Sequence, residues 1–568
     1  MTNLFKILFC VTTSVFIFNT SAEACTNVLI TKGASKDGSC MVTYAADSHQ
    51  LYGELYFSPA RTFPKGSMLD VYEWDTGEYK GQIAQVEHTY QTVGNMNEHQ
   101  LIITETTFGG RHELPNKKGV VDYGSLIYIT LQRASTAREA IFIMDNLMQT
   151  YGFPSEGESF SVVDKDEAWI MEIVGKGEEL GSVWVAVRIP DGYISAHANQ
   201  SRIDKFSLND PENCLYAKDV ILFARNNGYF QGEDKDFSFC DTYAPVDWGA
   251  LRGCEARVWS AFNILGKGKF VWSDGYSEHF RDAADYLDYA MGSNSKNKMP
   301  LYIKPAKKVD VKELADVMRD HFEGTSMDMT EDVGAGQSKI PYRWRPMDFE
   351  VDGQTYVFER AIATQQTGFW ILGQARGWLP DEVGGLLWFG VDDAATSALT
   401  PIYSNITSVP ECLAVGNGNM MEYSPTSAFW LFNRVTHFAY LFYDRVAPEI
   451  RAVADKYENE RIAQVPFVDE KAIKMLQAGN KKQALAYLTE FSKECSQNLF
   501  NKWKGLDEYL LVKFMDGNIK YQNEDGTFKN NGSSKSIPAG PWRPKNRERW
   551  LRAIVNDHGK VIKQGKVN

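Results

Sequence analysis

Ala22-Glu23-Ala24 stands immediately before Cys25. An A-x-A triplet behind an apolar stretch is the pattern at which export signals are cut. Here that stretch runs from Leu4 to Phe18, with Lys6 as its only early charge, and it is too short and interrupted to read as a membrane span. Cleavage after Ala24 makes Cys25 the first residue of the mature chain. A free α-amino group titrates near ~7.7–8.0, so thiol and base then share one residue. A thiol with an adjacent base is an activated nucleophile. Two other fates of such a cysteine are acylation, as in lipoproteins, and disulfide formation. Lipoprotein signals usually carry Leu three residues before the cysteine, where this chain has Ala22.

The remaining composition bounds what surrounds this residue. The chain has 568 residues, 43% of them apolar and 23% charged, which is ample for a large globular core. The net charge of −13 argues against a non-specific nucleic-acid binder, because phosphate attraction dominates that class. Aromatic residues reach 13%, rich enough for binding surfaces as well as cores. No G-x-S-x-G, H-E-x-x-H or P-loop is present, and His197 reads as a packing residue rather than a ligand. Neither a metal nor an organic cofactor is implied. With Cys25 reserved, Cys40, Cys214, Cys240, Cys254, Cys412 and Cys495 remain in the exported chain. An even count after export predicts at least one disulfide, with Cys240–Cys254 the foremost pair.

Thr26 to Tyr44 alternates apolar stretches around Lys36-Asp37-Gly38, which predicts a β-hairpin. Residues 101–104 and 160–174 read as strands, 134–149 and 212–227 as helices, and 354–391 as strand-like runs. From about 427 the pattern turns helical, over 429–443, 447–463, 468–478 and 481–516. The polar last 50 residues read as loops with a short helix near 546–556. The sum is an α+β body followed by a mostly helical C-terminal portion.

Cys25-Thr26-Asn27, then Lys36-Asp37-Gly38-Ser39 and Asp47-Ser48, resembles the dipeptidase A and secernin family of cysteine N-terminal nucleophile (Ntn) hydrolases. Gly94-Asn95-Met96-Asn97-Glu98-His99 with Glu105-Thr106-Thr107-Phe108 agrees, as do Ala198-Asn199-Gln200-Ser201-Arg202 and Ala256-Arg257-Val258-Trp259. The likeness covers roughly residues 25–430 and is strongest to the exported, signal-bearing branch. It implies a four-layer αββα sandwich; with the patterns above, the chain divides into a signal (1–24), a catalytic domain (25–426) and a mostly helical region (427–568). It also implies roles: Cys25 as nucleophile, Asp47 as the carboxylate near the nucleophile and its amine, Asn199 as oxyanion donor, Arg257 as organiser of the site and Thr107 as a second oxyanion group. One departure stands out. Many members carry Arg-Asn-Glu-Asp where this chain has Tyr44-Ala45-Ala46-Asp47, so an arginine is missing and substrate charge preference is open.

The chemistry is coherent on its own terms. An attacked amide becomes a tetrahedral oxyanion, and losing one hydrogen-bond donor to it costs ~3–4 kcal/mol; an asparagine amide is a suitable donor. A carboxylate can hold the protonated amine as a triad's third member holds its base, and a guanidinium lowers a nearby thiol's pKa. Singly, Asp47, Asn199 and Arg257 read as a turn residue, a loop cap and a surface charge. The leading expectation is an exported, periplasmic or secreted dipeptidase acting on small peptides, with no transmembrane span once the signal is cut; a homo-oligomer is compatible with it. Glu98 or Glu105 would meet the substrate amine, and Arg111 or Arg202 its carboxylate. The alternatives are an amide acylase acting on conjugated bile salts or N-acyl amino acids, and a non-catalytic surface binding protein on the same fold.

Overall fold

In the computed structural model, which describes residues 25–342, 348–540 and 546–565, the chain folds back on itself at Lys36-Asp37-Gly38-Ser39. Asp37 Oδ1 accepts from Ser39 N at 3.0 Å and from the Ser39 hydroxyl at 2.6 Å. Gly38 takes φ +86°, a region that glycine enters without a Cβ clash. The expected hairpin follows, with Asn27–Ile30 antiparallel to Cys40–Asp47. The stretch read as an export signal lies outside the described residues.

This hairpin is the middle of a seven-stranded antiparallel sheet. Its order is Tyr302–Ile303, Ile194–His197, Asn27–Ile30, Cys40–Asp47, Thr367–Ala375, Gly385–Val391 and Thr400–Tyr403. A second antiparallel sheet has eight strands, ordered Cys214–Tyr216, Glu179–Arg188, Ala168–Lys176, Gly157–Val163, Ile102–Phe108, Met96–Asn97, Thr92–Val93 and Phe57–Ser58. The run read as one strand over 160–174 is thus two. Asp164 Oδ1 makes the turn between them by accepting from Asp166 N and Glu167 N, both at 2.8 Å. Residues 212–227 divide as well. Cys214–Tyr216 completes the edge of the second sheet, and only Val220–Asn226 is helical.

The two sheets pack against each other. His197, on the first, bonds through Nδ1 to Thr106 Oγ1 and through Nε2 to Ser161 Oγ of the second, each at 2.7 Å. Burial lowers its pKa to about 3, so the ring is a neutral cross-link. Gly373 allows the close approach: a Cβ there would lie 2.9 Å from Ile102 Cδ1. Helix Ala137–Tyr151, capped by Thr136, lies along strand Glu179–Arg188, and helix Ala256–Gly266 packs on Ile194–His197. Three long helices, Ala428–Leu441, Tyr443–Gln477 and Lys481–Phe514, stand beside strands Gly385–Val391 and Thr400–Tyr403. Asp469 ties them to the sheet by accepting from Arg376 and from the Tyr403 hydroxyl, each at 2.6 Å. Among the described residues, no helix is long and apolar enough to cross a membrane.

The disulfide expectation is not met. Cys25, Cys40, Cys214, Cys240, Cys254, Cys412 and Cys495 are all free thiols. They are dispersed through the fold. Cys40 lies on a central strand, Cys495 on the helix Lys481–Phe514 beside Arg461, and Cys240 next to Ser238 and Lys298. Burial pushes Cys40, Cys214, Cys240 and Cys412 up to about 12 and Cys495 up to about 11, which makes them poor nucleophiles for exchange. Thiol titration of the denatured, unreduced mature protein is expected to find seven free thiols per chain. A count of five or fewer would contradict this arrangement.

Candidate active site

Cys25 precedes the first strand of the central hairpin and is 6% exposed. Its sulfur faces a cavity of about 340 Å³ whose lining includes Tyr44, Asp47, Tyr56, Trp74, Glu105 and Phe369. Sγ lies 3.5 Å from Glu105 Oε1 and 3.9 Å from the Tyr44 hydroxyl. The hydroxyl in turn donates to Glu105 Oε1 at 2.6 Å. Tyr44 therefore occupies space beside the Cys25 thiol, and Glu105 comes from the second sheet to meet it. Burial raises the Glu105 carboxyl's pKa, against the hydrogen bonds it receives.

Asp47 ends the strand Cys40–Asp47, where the pairing with Thr367–Ala375 shifts register between Ala46 and Asp47. Such irregularities re-aim a side chain, and here the carboxylate lines the cavity. Arg360 Nη2 donates to Oδ2 and Thr367 Oγ1 to Oδ1, each at 2.6 Å. Burial raises the pKa of Asp47 while Arg360 opposes the shift.

Arg257 is the second residue of helix Ala256–Gly266, entered through the π-helical turn Leu251–Glu255; such turns recur at functional sites. The guanidinium is buried and fully engaged. Nε donates to Gly253 O at 2.8 Å, and Nη1 to Cys25 O at 2.6 Å and Thr26 Oγ1 at 2.9 Å. Nη2 donates to Ala198 O at 3.1 Å and Asn199 Oδ1 at 2.9 Å. Burial lowers the Arg257 pKa to about 10, still well above neutrality. Asn199 has φ +61°, a left-handed conformation that asparagine tolerates better than most residues. With Oδ1 on Arg257, its Nδ2 donates to Thr107 O at 2.7 Å, so the amide's orientation is fixed at both ends.

Cys25, Asn199 and Arg257 are thus one hydrogen-bonded constellation, with Thr107 joined through its backbone. The Thr107 hydroxyl itself turns to Glu158 Oε1, at 2.8 Å. Arg111 and Arg202 do not line the Cys25 cavity. Arg111 donates to Thr242 O at 2.7 Å and lies over the Tyr229 ring at 4.1 Å. Arg202 is buried, paired with Glu255 at 3.1 Å and bonded to the carbonyls of Ala196, Leu301 and Pro300. Arg202 is engaged as a buried guanidinium must be, and Arg111 is half-buried on its own partners outside the cavity. Glu98 accepts from Gln91 N at 2.8 Å, which leaves Glu105 as the sequence's acidic candidate that reaches the cavity. Sequence reasoning missed Arg360 and Thr367, whose partner Asp47 is more than 300 residues away, and the ring wall of Tyr56, Trp74 and Tyr128.

A family model described as peptidase family C69 matches residues 24–456, and the chain belongs to that family. Its relatives include a probable dipeptidase of Latilactobacillus sakei, 23% identical over 409 residues that span 68% of this chain and 76% of the relative. A probable dipeptidase B of Lactococcus lactis subsp. lactis is 22% identical over 500 residues, 85% of this chain and 94% of the relative. A dipeptidase of Bifidobacterium longum is 23% identical over 440 residues, 69% of this chain and 73% of the relative.

Proposed function

We propose that the chain is an exported cysteine dipeptidase on the four-layer αββα Ntn-hydrolase sandwich, acting in the periplasm or outside the cell. The observation that carries this reading is the position of Cys25. It directly follows the A-x-A triplet, the family match opens one residue before it, and its sulfur faces a cavity large enough for an amino-acid residue. The two sheets with helices against them support the fold, and the dipeptidase names of the relatives support the substrate.

In this reading the α-amine freed at Cys25 takes the thiol proton as sulfur bonds to the scissile carbonyl carbon. The carbonyl electron pair moves to oxygen, where the Asn199 amide, held by Arg257 and Thr107 O, donates a hydrogen bond. The oxyanion collapses, the C–N bond breaks, and the α-ammonium returns its proton to the leaving amine. Water then attacks the thioester with the same amine as base, releasing the first amino acid and restoring the thiol. Asp47, oriented by Arg360 and Thr367, offers a fixed negative charge to the amine while it is protonated. Hydrolysis of a dipeptide panel against N-acyl amino acids by the mature protein is the test. Turnover of the acylated compounds alone would replace this reading with the acylase one.

Asn199→Ala is expected to lower kcat by roughly 10²–10³ with a smaller change in KM, because that hydrogen bond strengthens only as charge develops. A change in KM alone, in a folded variant, would remove Asn199 from the oxyanion role.

A further inference from the structure

The cavity beside Cys25 is built to attract a cation. Trp74 and Tyr128 stack with centroids 4.6 Å apart, and Tyr56 meets them edge-on at 5.0 and 5.7 Å. Ring faces attract positive charge. Three carboxyl side chains join the lining: Glu105, Asp75 and Asp47. Asp47 already has the Arg360 guanidinium, and Asp75 accepts from the Tyr123 hydroxyl at 2.7 Å. Glu105 has a phenol and a thiol against Oε1, neither of them cationic. Among the described residues, no lysine, arginine or histidine lines this cavity.

Geometry ties the acidic group to one part of a substrate. In an amino-terminal residue the nitrogen lies about 2.5 Å from its own carbonyl carbon, as standard bond lengths dictate. A sulfur ready to attack that carbon stands about 3–3.5 Å from it. A substrate turned so that its nitrogen faces the carboxylate oxygen 3.5 Å from Sγ brings the two within hydrogen-bond reach. We propose that Glu105 receives the α-ammonium of the residue whose carbonyl Cys25 attacks, and that Tyr44 is the positioning residue that aims Glu105. This deepens the dipeptidase reading and rests on it: the substrate must present a free, charged amino terminus on its first residue. Burial raises the pKa of Glu105, and an arriving ammonium supplies the cation that favours its charged form. The phenol at Tyr44, the first position of Tyr44-Ala45-Ala46-Asp47 where many family members carry arginine, then has a purpose, since a guanidinium there would occupy Glu105 itself.

The competing role for Glu105 is as base for the Cys25 thiol, and one pair of substrates separates the two. Alanyl-alanine and propanoyl-alanine differ only in the amine. The mature parent is expected to favour alanyl-alanine in kcat/KM. Glu105→Gln is expected to raise KM for alanyl-alanine by about 10–100-fold, as loss of a charge-assisted hydrogen bond does, and to lower the preference for alanyl-alanine over propanoyl-alanine by a similar factor. Tyr44→Phe keeps the ring and is expected to raise KM for alanyl-alanine in the same direction by a few-fold. Equal loss of kcat on both substrates would overturn the proposal and make Glu105 the thiol's base. If Glu105→Gln does not fold, an unchanged KM in folded Tyr44→Phe overturns it instead. A parent that hydrolyses propanoyl-alanine and leaves alanyl-alanine intact overturns the dipeptidase reading before any variant is made.

Discussion

Cys25→Ser is expected to lose kcat by about 10³-fold or more, the scale seen when a covalent nucleophile is disabled, while the fold persists. The sulfur's hydrogen-bonding neighbours Tyr44 and Glu105 accommodate a hydroxyl equally well, so packing changes little. Reactivity changes greatly. The α-amine, near ~7.7–8.0, is matched to a thiol near ~8.5 and badly matched to an alcohol. A chain that keeps even one residue before Cys25 should fail equally, for a different reason: its nitrogen is an amide and no longer a base. Kinetics on a hydrolysed dipeptide, intact mass of the amino terminus and circular dichroism check both. Near-parental turnover in folded Cys25→Ser, or in a demonstrably uncleaved chain, would remove Cys25 from the chemistry.

Arg257→Lys should be the next most damaging substitution, although it conserves charge. The guanidinium fork reaches Gly253 O, Cys25 O, Thr26 Oγ1, Ala198 O and Asn199 Oδ1 together. An ammonium has three donors around a single atom and cannot span these acceptors. Acceptors left unpaired in the interior cost about 1–3 kcal/mol each, so a lowered melting temperature is expected. Asn199 and Cys25 also lose their common anchor. A misplacement of about 1 Å can cost 10²-fold, and kcat is expected to fall by at least that factor. Thermal unfolding and kcat measured on the same preparation provide the check. A variant as stable and as fast as the parent would mean that Arg257 is a bystander.

What the sequence made legible was local or short-range. The Lys36-Asp37-Gly38-Ser39 turn announces its hairpin because Asp37 and Gly38 carry the turn chemistry themselves. Cys25, Asn199 and Arg257 stood out as motif residues, and the structure bonds them together. Arg360 was silent because nothing near it in the chain hints that Asp47 is its partner. Arg111 and Arg202 show the opposite case: an arginine in a promising segment looks available until its carbonyl partners are seen. Helix Tyr443–Gln477 runs through Pro448 and Pro466, where local propensity argued for breaks. Packing outweighs propensity here, since Asp469, three residues past Pro466, anchors the helix to Arg376 and Tyr403.

Arg257 grips the carbonyl of Cys25. That carbonyl is present whether or not anything precedes residue 25, so the clamp does not depend on a free amino terminus. On the proposed maturation, hydrolysis of the bond after Ala24 then leaves this clamp intact and changes one functional group beside it. The precursor is latent in a chemical rather than a conformational sense. In that reading Cys25, the Asn199 amide and Arg257 are already bonded together, and the proton acceptor is what the leader masks. On the proposed reading, synthesis and activity would be separated by export itself, and a chain retained with its leader would be a folded protein without a base.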